Sequence, residues 1–322
     1  MNDGFGRKID YLRVSVTDRC NLRCTYCMPE TGTEWLPHEK VLRYEDILRL
    51  CRIFASLGVT KYKLTGGEPL VRKGLASLAA GIRAIPGTTS VTLTTNGVAL
   101  REQLPALLEA GIDGINLSLD TLDRDRYAAI TRRDALPAVL EGLETALAAP
   151  ELRLKLNCVA MAGGREDWVE LASLAKDNRL AVRFIELMPI GLGGMLGGCT
   201  EEDVSGALEQ AYGPLTPSEG VYGNGPCRYF SLPGFRGKIG FISAMSHKFC
   251  AGCNRVRLTA TGFLKTCLQY ETGVDLAPLL TGSDEALRTA IEDAIRNKPA
   301  EHRFTAGDVP SREKHDMNQI GG

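Results

Sequence analysis

The chain has 322 residues, 44% apolar and 24% charged, which suits a globular protein with a sizeable core. Its net charge of −1 argues against whole-molecule attraction to nucleic acid. No run of about eighteen apolar residues occurs and the opening MNDGFGRKIDYLR lacks an apolar stretch, so neither a membrane span nor a secretory signal is predicted and a cytoplasmic protein is expected.

The first two-thirds alternates strand and helix patterns. IDYLRVSVT (9–17) reads as a strand leading into a loop with three cysteines. Residues 44–58 have helical spacing, with Ile47, Leu48, Cys51 and Phe54 on one face. KYKLTGGEP (61–69) reads as a strand ending in a glycine turn, then GLASLAAGIRAI as a helix. SVTLTTNG (90–97) is a strand, with a helix near 100–110. GINLSLD (114–120) is a strand, with a helix near 134–148. LRLKLNCVAM (152–161) is a strand, then REDWVELASLAKDN a helix. VRFIELMP (182–189) is a sixth strand, GLGGMLGG (191–198) a flexible loop, and TEEDVSGALEQAYG a helix with a Thr200…Asp203 capping pattern.

Regular alternation of this kind predicts a parallel sheet with right-handed crossovers. Six repeats fit an incomplete (β/α)6 barrel or a doubly wound sheet. The polar features favour the barrel. The cysteine loop, TGGEP, TTNG, Ser118/Asp120, Lys155/Asn157 and Glu186/Met188 sit at or just inside the C-terminal ends of six strands, where parallel folds place their active sites. Glycine and proline thicken from 215, so residues 1–214 are read as the core and 215–322 as a smaller α+β segment closing its open side. There, short β-like runs (CRYFSL, GKIGFIS, NRVRLTATGFLKT) precede one helix, SDEALRTAIEDAIRNK. The polar tail from 298 is expected to be mobile unless something holds it.

Ten cysteines are many for a chain expected in a reducing compartment, and six fall in two clusters. Cys51, Cys158, Cys199 and Cys227 read as core or incidental thiols. Cys250, Cys253 and Cys267, with His247 nearby as a fourth ligand, leave a zinc ribbon and an iron–sulfur site both open. Cys20, Cys24 and Cys27 have no fourth partner. A bare set of three is poor for structural zinc, but it suits a cubane cluster whose fourth iron takes a non-protein ligand.

The C-x3-C-x2-C spacing with Tyr26 before its last cysteine, paired with TGGEP, resembles the radical S-adenosylmethionine (SAM) superfamily. DYLRVSVTDRCNLRCTYCMP, LTGGEPLVR, TTNG, NLSLD, RFIELMP, FCAGCNRVRLTATG and the terminal Gly-Gly extend the resemblance over nearly the whole chain, to the GTP 3′,8-cyclase family of molybdenum cofactor biosynthesis. That resemblance implies two 4Fe–4S clusters, the first opening onto SAM and the second onto the guanine of GTP. It further implies an adenosyl radical that takes hydrogen from ribose C3′, followed by closure onto C8. A homodimer and a downstream pterin-forming enzyme are also implied, with no nucleic-acid or membrane partner and a reductant that stays unidentified.

The resemblance places SAM near Tyr26, Gly67, Ser118 and Met188. A triphosphate needs converging cations; the candidates are Arg13, Lys61, Lys63, Lys155, Arg183, Arg255 and Arg257, of which the last four alternate with apolar residues. Thr94 and Val256 join this GTP set, and Arg13, Arg255, Arg257, Gly321 and Gly322 are expected to serve turnover. Lys63 stands where the family carries arginine, so it brings charge but no bidentate fork. Three rivals remain. Another radical SAM enzyme with an auxiliary cluster would not be expected to share NRVRLT or the Gly-Gly tail. A two-cluster electron carrier should have four cysteines per cluster, and a zinc-ribbon nucleic-acid module needs a basic face.

Overall fold

The computed structural model describes residues 1–220, 222–304 and 313–321. Strand β1 (Tyr11–Ser15) opens the core, followed by α1 (Tyr44–Ser56), β2 (Lys61–Thr65), α2 (Leu75–Arg83), β3 (Ser90–Thr95), α3 (Leu100–Glu109) and β4 (Gly114–Ser118). Two helices come next, α4 (Arg124–Thr131) and α5 (Leu136–Leu147). The core ends with β5 (Arg153–Ala160), α6 (Arg165–Asp177), β6 (Ala181–Glu186) and α7 (Glu201–Tyr212). Thr200 and Asp203 cap α7 reciprocally, as expected.

The remainder contributes β7 (Thr216–Pro217), β8 (Arg228–Ser231), β9 (Lys238–Ile242), β10 (Arg255–Leu258), β11 (Phe263–Lys265), β12 (Gly273–Asp275), α8 (Asp284–Arg296) and α9 (Met317–Ile320). All twelve strands form one sheet in the order β12-β11-β10-β1-β2-β3-β4-β5-β6-β9-β8-β7. From β10 to β9 every pairing is parallel. Strands β1 to β6 follow one another without the order reversal of a doubly wound sheet. The fold is therefore an open, incomplete barrel. Residues beyond 214 extend it at both edges, with β10 beside β1 and β9 beside β6.

Alternation along each strand divides the sheet into two faces. Leu12, Val14, Tyr62, Leu64, Val91, Leu93, Leu154, Leu156, Val182 and Phe184 are buried in the apolar core. Their neighbours Arg13, Lys63, Thr92, Thr94, Lys155 and Arg183 line a cavity. No helix among the described residues is long and apolar enough to cross a membrane.

Three expectations need correction. The glycine loop after β6 carries a short 3-10 turn, Gly191–Met195, with Gly193 buried. Helix α4, unpredicted, buries only Tyr127 and Thr131, so it leaves no apolar stripe to read. The tail is held: Lys298, His302 and Phe304 are buried, and Ile320 packs in an apolar cluster with Ile190 and Phe304. Burying one such side chain is worth about 1.5–3 kcal/mol. That anchor matters, because a four-residue helix has no stability of its own.

Candidate active site

The cavity inside the open barrel has a volume of about 350 Å³ and opens to solvent. That lies within the roughly 300–1,000 Å³ of a small-molecule site. All six clustered cysteines line it, so two groups 223 residues apart in sequence (Cys27 to Cys250) face one space.

Cys20, Cys24 and Cys27 sit on the loop after β1. The Arg23 and Thr25 amides donate to the Thr131 and Ile130 carbonyls at the end of α4, both at 2.9 Å. The glycine turn after β2 is stitched to the same loop, with Gly67 N–H on the Thr17 carbonyl and Glu68 N–H on the Arg19 carbonyl, each at 2.8 Å. A side chain at Gly67 would place its Cβ 2.4 Å from the Arg19 carbonyl oxygen, so only glycine permits this approach. Ser118 and Met188 line the cavity beside this turn, as does Tyr26, whose hydroxyl donates to Asp120 at 2.8 Å.

Electrostatics sets Cys253 apart from the first triplet. Burial pushes the Cys20 thiol up to about 11 and that of Cys27 to about 12, and Cys24 is also raised well above its ordinary value. These sulfurs become thiolates only when a cation takes the place of the proton. At Cys253 burial is outweighed by Arg255 and Lys298, and its thiol is lowered.

Three sulfurs sharing one zinc at about 2.3 Å would lie roughly 3.8 Å apart. Among the described residues the one group with three ligand atoms within 4.8 Å is Glu271, Glu313 and His315. Neither cysteine triplet is drawn in that tightly. His247 does not serve the second triplet: it is exposed and turned toward Ser246 and Glu201.

Between the triplets lies a band of cations set by strand register. Arg257, Arg13, Lys63 and Thr92 are paired across four neighbouring strands. Thr94 faces Asn116, which faces Lys155, and Arg183 faces Asn157. Burial, with Arg183 and Arg153 adjacent, lowers Lys155 to about 7. Burial, then Arg183, Arg13 and Lys155, lowers Lys63 well below its usual value. Among the described residues, none of Lys63, Lys155, Arg183, Arg255 and Arg257 forms an ion pair. Cations concentrated this way without carboxylates are costly to fold and suit a polyanion.

The tail enters the same space. Met317 and Asn318 line the cavity, and Arg257 donates to the Gly321 carbonyl at 2.7 Å. Gly322 lies outside the described residues.

Two expected residues are placed elsewhere. Lys61, at the start of β2, is paired with Asp10 at 2.9 Å and does not line the cavity. Val256 is fully buried in the core on the opposite face of β10 from Arg255 and Arg257. Sequence reasoning also passed over two residues. Glu68, in the glycine turn, is buried and accepts from Leu70 N–H (2.9 Å), Thr95 hydroxyl (2.7 Å) and Asn96 N–H (2.6 Å). Its signal was an acid inside an otherwise neutral turn. Lys298, buried beside the second triplet, gave no signal within a polar tail.

Residues 14–183 match the Radical SAM superfamily and residues 180–304 match Molybdenum Cofactor Synthesis C. The chain is similar to proteins named GTP 3′,8-cyclase from Moorella thermoacetica (45% identical), Pelotomaculum thermopropionicum (46%) and Clostridium perfringens (42%), each covering 100% of both chains. Its fold resembles Streptococcus suis SuiB bound to S-adenosylmethionine, with a TM-score of 0.60 at 15% identity, covering 90% of this chain and 65% of that one.

Proposed function

The chain belongs to the GTP 3′,8-cyclase family of the radical SAM superfamily, and from that membership we propose how its residues divide the reaction. It is a radical SAM lyase of the first step of molybdenum cofactor biosynthesis, converting GTP to (8S)-3′,8-cyclo-7,8-dihydroguanosine 5′-triphosphate. The observation that carries the residue assignment is one cavity lined by both cysteine triplets and by Arg13, Lys63, Lys155, Arg183, Arg255 and Arg257.

Cys20, Cys24 and Cys27 hold an iron–sulfur cluster, which when bound supplies the electron that cleaves SAM. In our reading, Gly67 admits the ligand to the turn, Glu68 offers it acceptors, and Tyr26, Ser118 and Met188 complete its pocket. Arg13, Lys63, Lys155, Arg183, Arg255 and Arg257 grip the triphosphate, with Thr94 beside them. This fixes the ribose relative to SAM and keeps water from the reacting atoms. Cys250, Cys253 and Cys267 hold a second cluster facing the guanine. The bare three-thiol donor set supports that assignment over zinc. A homodimer, and hand-over of product to a pterin-forming enzyme, complete the proposal.

The test is an anaerobic assay of reconstituted protein with SAM, a strong reductant and GTP. 5′-Deoxyadenosine together with a GTP-derived product of unchanged mass and altered retention is expected. 5′-Deoxyadenosine with intact GTP would overturn the substrate. Iron and sulfide counts on Cys250→Ala, Cys253→Ala and Cys267→Ala together should fall by half relative to the parent.

A further inference from the structure

Residues 298–302 run as a strap across the second cysteine triplet. Arg7, paired with Asp3 at 2.6 Å, donates to the carbonyls of Cys250 (2.9 Å), Pro299 (2.7 Å) and Ala300 (2.6 Å) and so ties the strap to the cysteine loop. The His302 backbone N–H donates to Cys250 Sγ at 3.4 Å. From the other end of the strap, the Lys298 ammonium donates to the carbonyl of Thr266, the residue before Cys267.

Lys298 is only 4% exposed, and that neutral carbonyl is the one hydrogen-bond partner of its ammonium among the described residues. No carboxylate there lies within ion-pair distance of it. An ammonium buried without counter-charge is among the costlier features a fold can carry, so an anion is needed opposite it. Lys298 and the second triplet line the same cavity.

We propose that Lys298 is the built-in counter-charge of the second iron–sulfur cluster, a positioning residue that raises that cluster's reduction potential and leaves the first unaffected. The inference rests on the reading of Cys250, Cys253 and Cys267 as cluster ligands. Its physical basis is that reduction adds negative charge to a cluster, and a fixed cation in a low-dielectric wall stabilises the reduced form.

The experiment is a redox titration followed by electron paramagnetic resonance on the reconstituted full chain, with iron and sulfide counted in each sample. Lys298→Met and Lys298→Arg are compared in the parent and in a background with Cys20, Cys24 and Cys27 changed to Ala. Expected is an unchanged metal content, a second-cluster midpoint moved to more negative potential in Lys298→Met, restoration by Lys298→Arg, and a first-cluster midpoint that stays put. An unmoved second midpoint, or equal movement of both, overturns the proposal. So does a loss of GTP affinity at unchanged midpoint, which would make Lys298 a substrate contact. Should Lys298→Met fail to hold the second cluster, Lys298→Gln is the second neutral variant, and failure of both assigns Lys298 to cluster loading and overturns tuning. If the background without Cys20, Cys24 and Cys27 carries no iron even with Lys298 intact, the second-cluster reading itself is wrong.

Discussion

Arg257 and Gly321, 64 residues apart in sequence, are joined by a 2.7 Å hydrogen bond from guanidinium to carbonyl, so the end of the chain orients a cation of the substrate cavity. Gly321 takes φ +78°, and an added Cβ would lie 2.9 Å from Ser15 Cβ. A non-glycine residue in this region costs roughly 1–2 kcal/mol, comparable to the anchoring of the tail by Ile320. Gly321→Ala should therefore loosen the tail and lower GTP-dependent product formation about tenfold, while the barrel melts as before. Product formation at the parental rate would remove the tail from the reaction.

Lys155 gives GTP binding a pH dependence. Burial, with Arg183 and Arg153, lowers it to about 7 in the free protein. A bound triphosphate restores the charged form, so binding takes up a proton above pH 7. Affinity is then greatest below pH 7 and weakens as pH rises through it, by up to about tenfold per pH unit. Above pH 7 the terminal phosphate is already ionised and adds little. Binding measured without SAM or reductant should show this slope in the parent and a shallower one in Lys155→Met. Equal affinity at pH 7 and 8.5 in the parent would sink the idea.

Glu68 acts on stability in the opposite pH region. Burial raises it from 4.5 to about 7, only partly offset by its Asn96, Leu70 and Thr95 hydrogen bonds. Between these values the folded chain holds a proton that the unfolded chain has released. Its contribution is thus fully present below about 4.5 and lost as pH rises through 7, by roughly 3 kcal/mol at most. Glu68→Gln cannot titrate, so the melting temperature of the parent relative to this variant should fall between pH 5 and 7.5. A constant difference would mean that Glu68 is already ionised at pH 5.

What the sequence revealed follows the range of the forces involved. Strands β1 to β6 were legible because polar cavity residues alternate with core residues at a period of two. Helix α1 was legible too, although Leu50 is buried where Leu48 was expected to be. The pairing of β10 with β1 and β9 with β6 joins distant segments, and no local pattern encodes it. The same limit explains the site. Lys61 and Lys63 lie on one face of a strand, but Asp10 claims the first, and only the fold brings that carboxylate there. The buried tail looked mobile because its anchors, Phe304 and Ile320, are single apolar residues in polar surroundings.

Arg132 is the one non-glycine residue with positive φ among the described residues, at 56°, and it ends α4. Its Nη1 donates to the Arg23 carbonyl at 2.9 Å and the Met28 carbonyl at 3.0 Å, on either side of Cys24 and Cys27. The final carbonyls of α4 take the Arg23 and Thr25 amides of the same loop. Side chain and helix end together shape the first cysteine loop, and the arginine tolerates a strained backbone to do so. Arg132→Gly should relieve about 1 kcal/mol of strain and give up charged hydrogen bonds worth roughly 1.5–3 kcal/mol each. The net change is a loss of roughly 2–5 kcal/mol of apo stability, and the loop loses its clamp. In a background with Cys250, Cys253 and Cys267 changed to Ala, reconstituted Arg132→Gly should retain less iron and sulfide, and its cluster spectrum should respond less sharply to SAM. Arg132→Lys keeps the charge and a single donor point, so it should fall between the two. Full loading of Arg132→Gly with a parental response to SAM would mean that the three cysteines and the cluster shape this loop unaided.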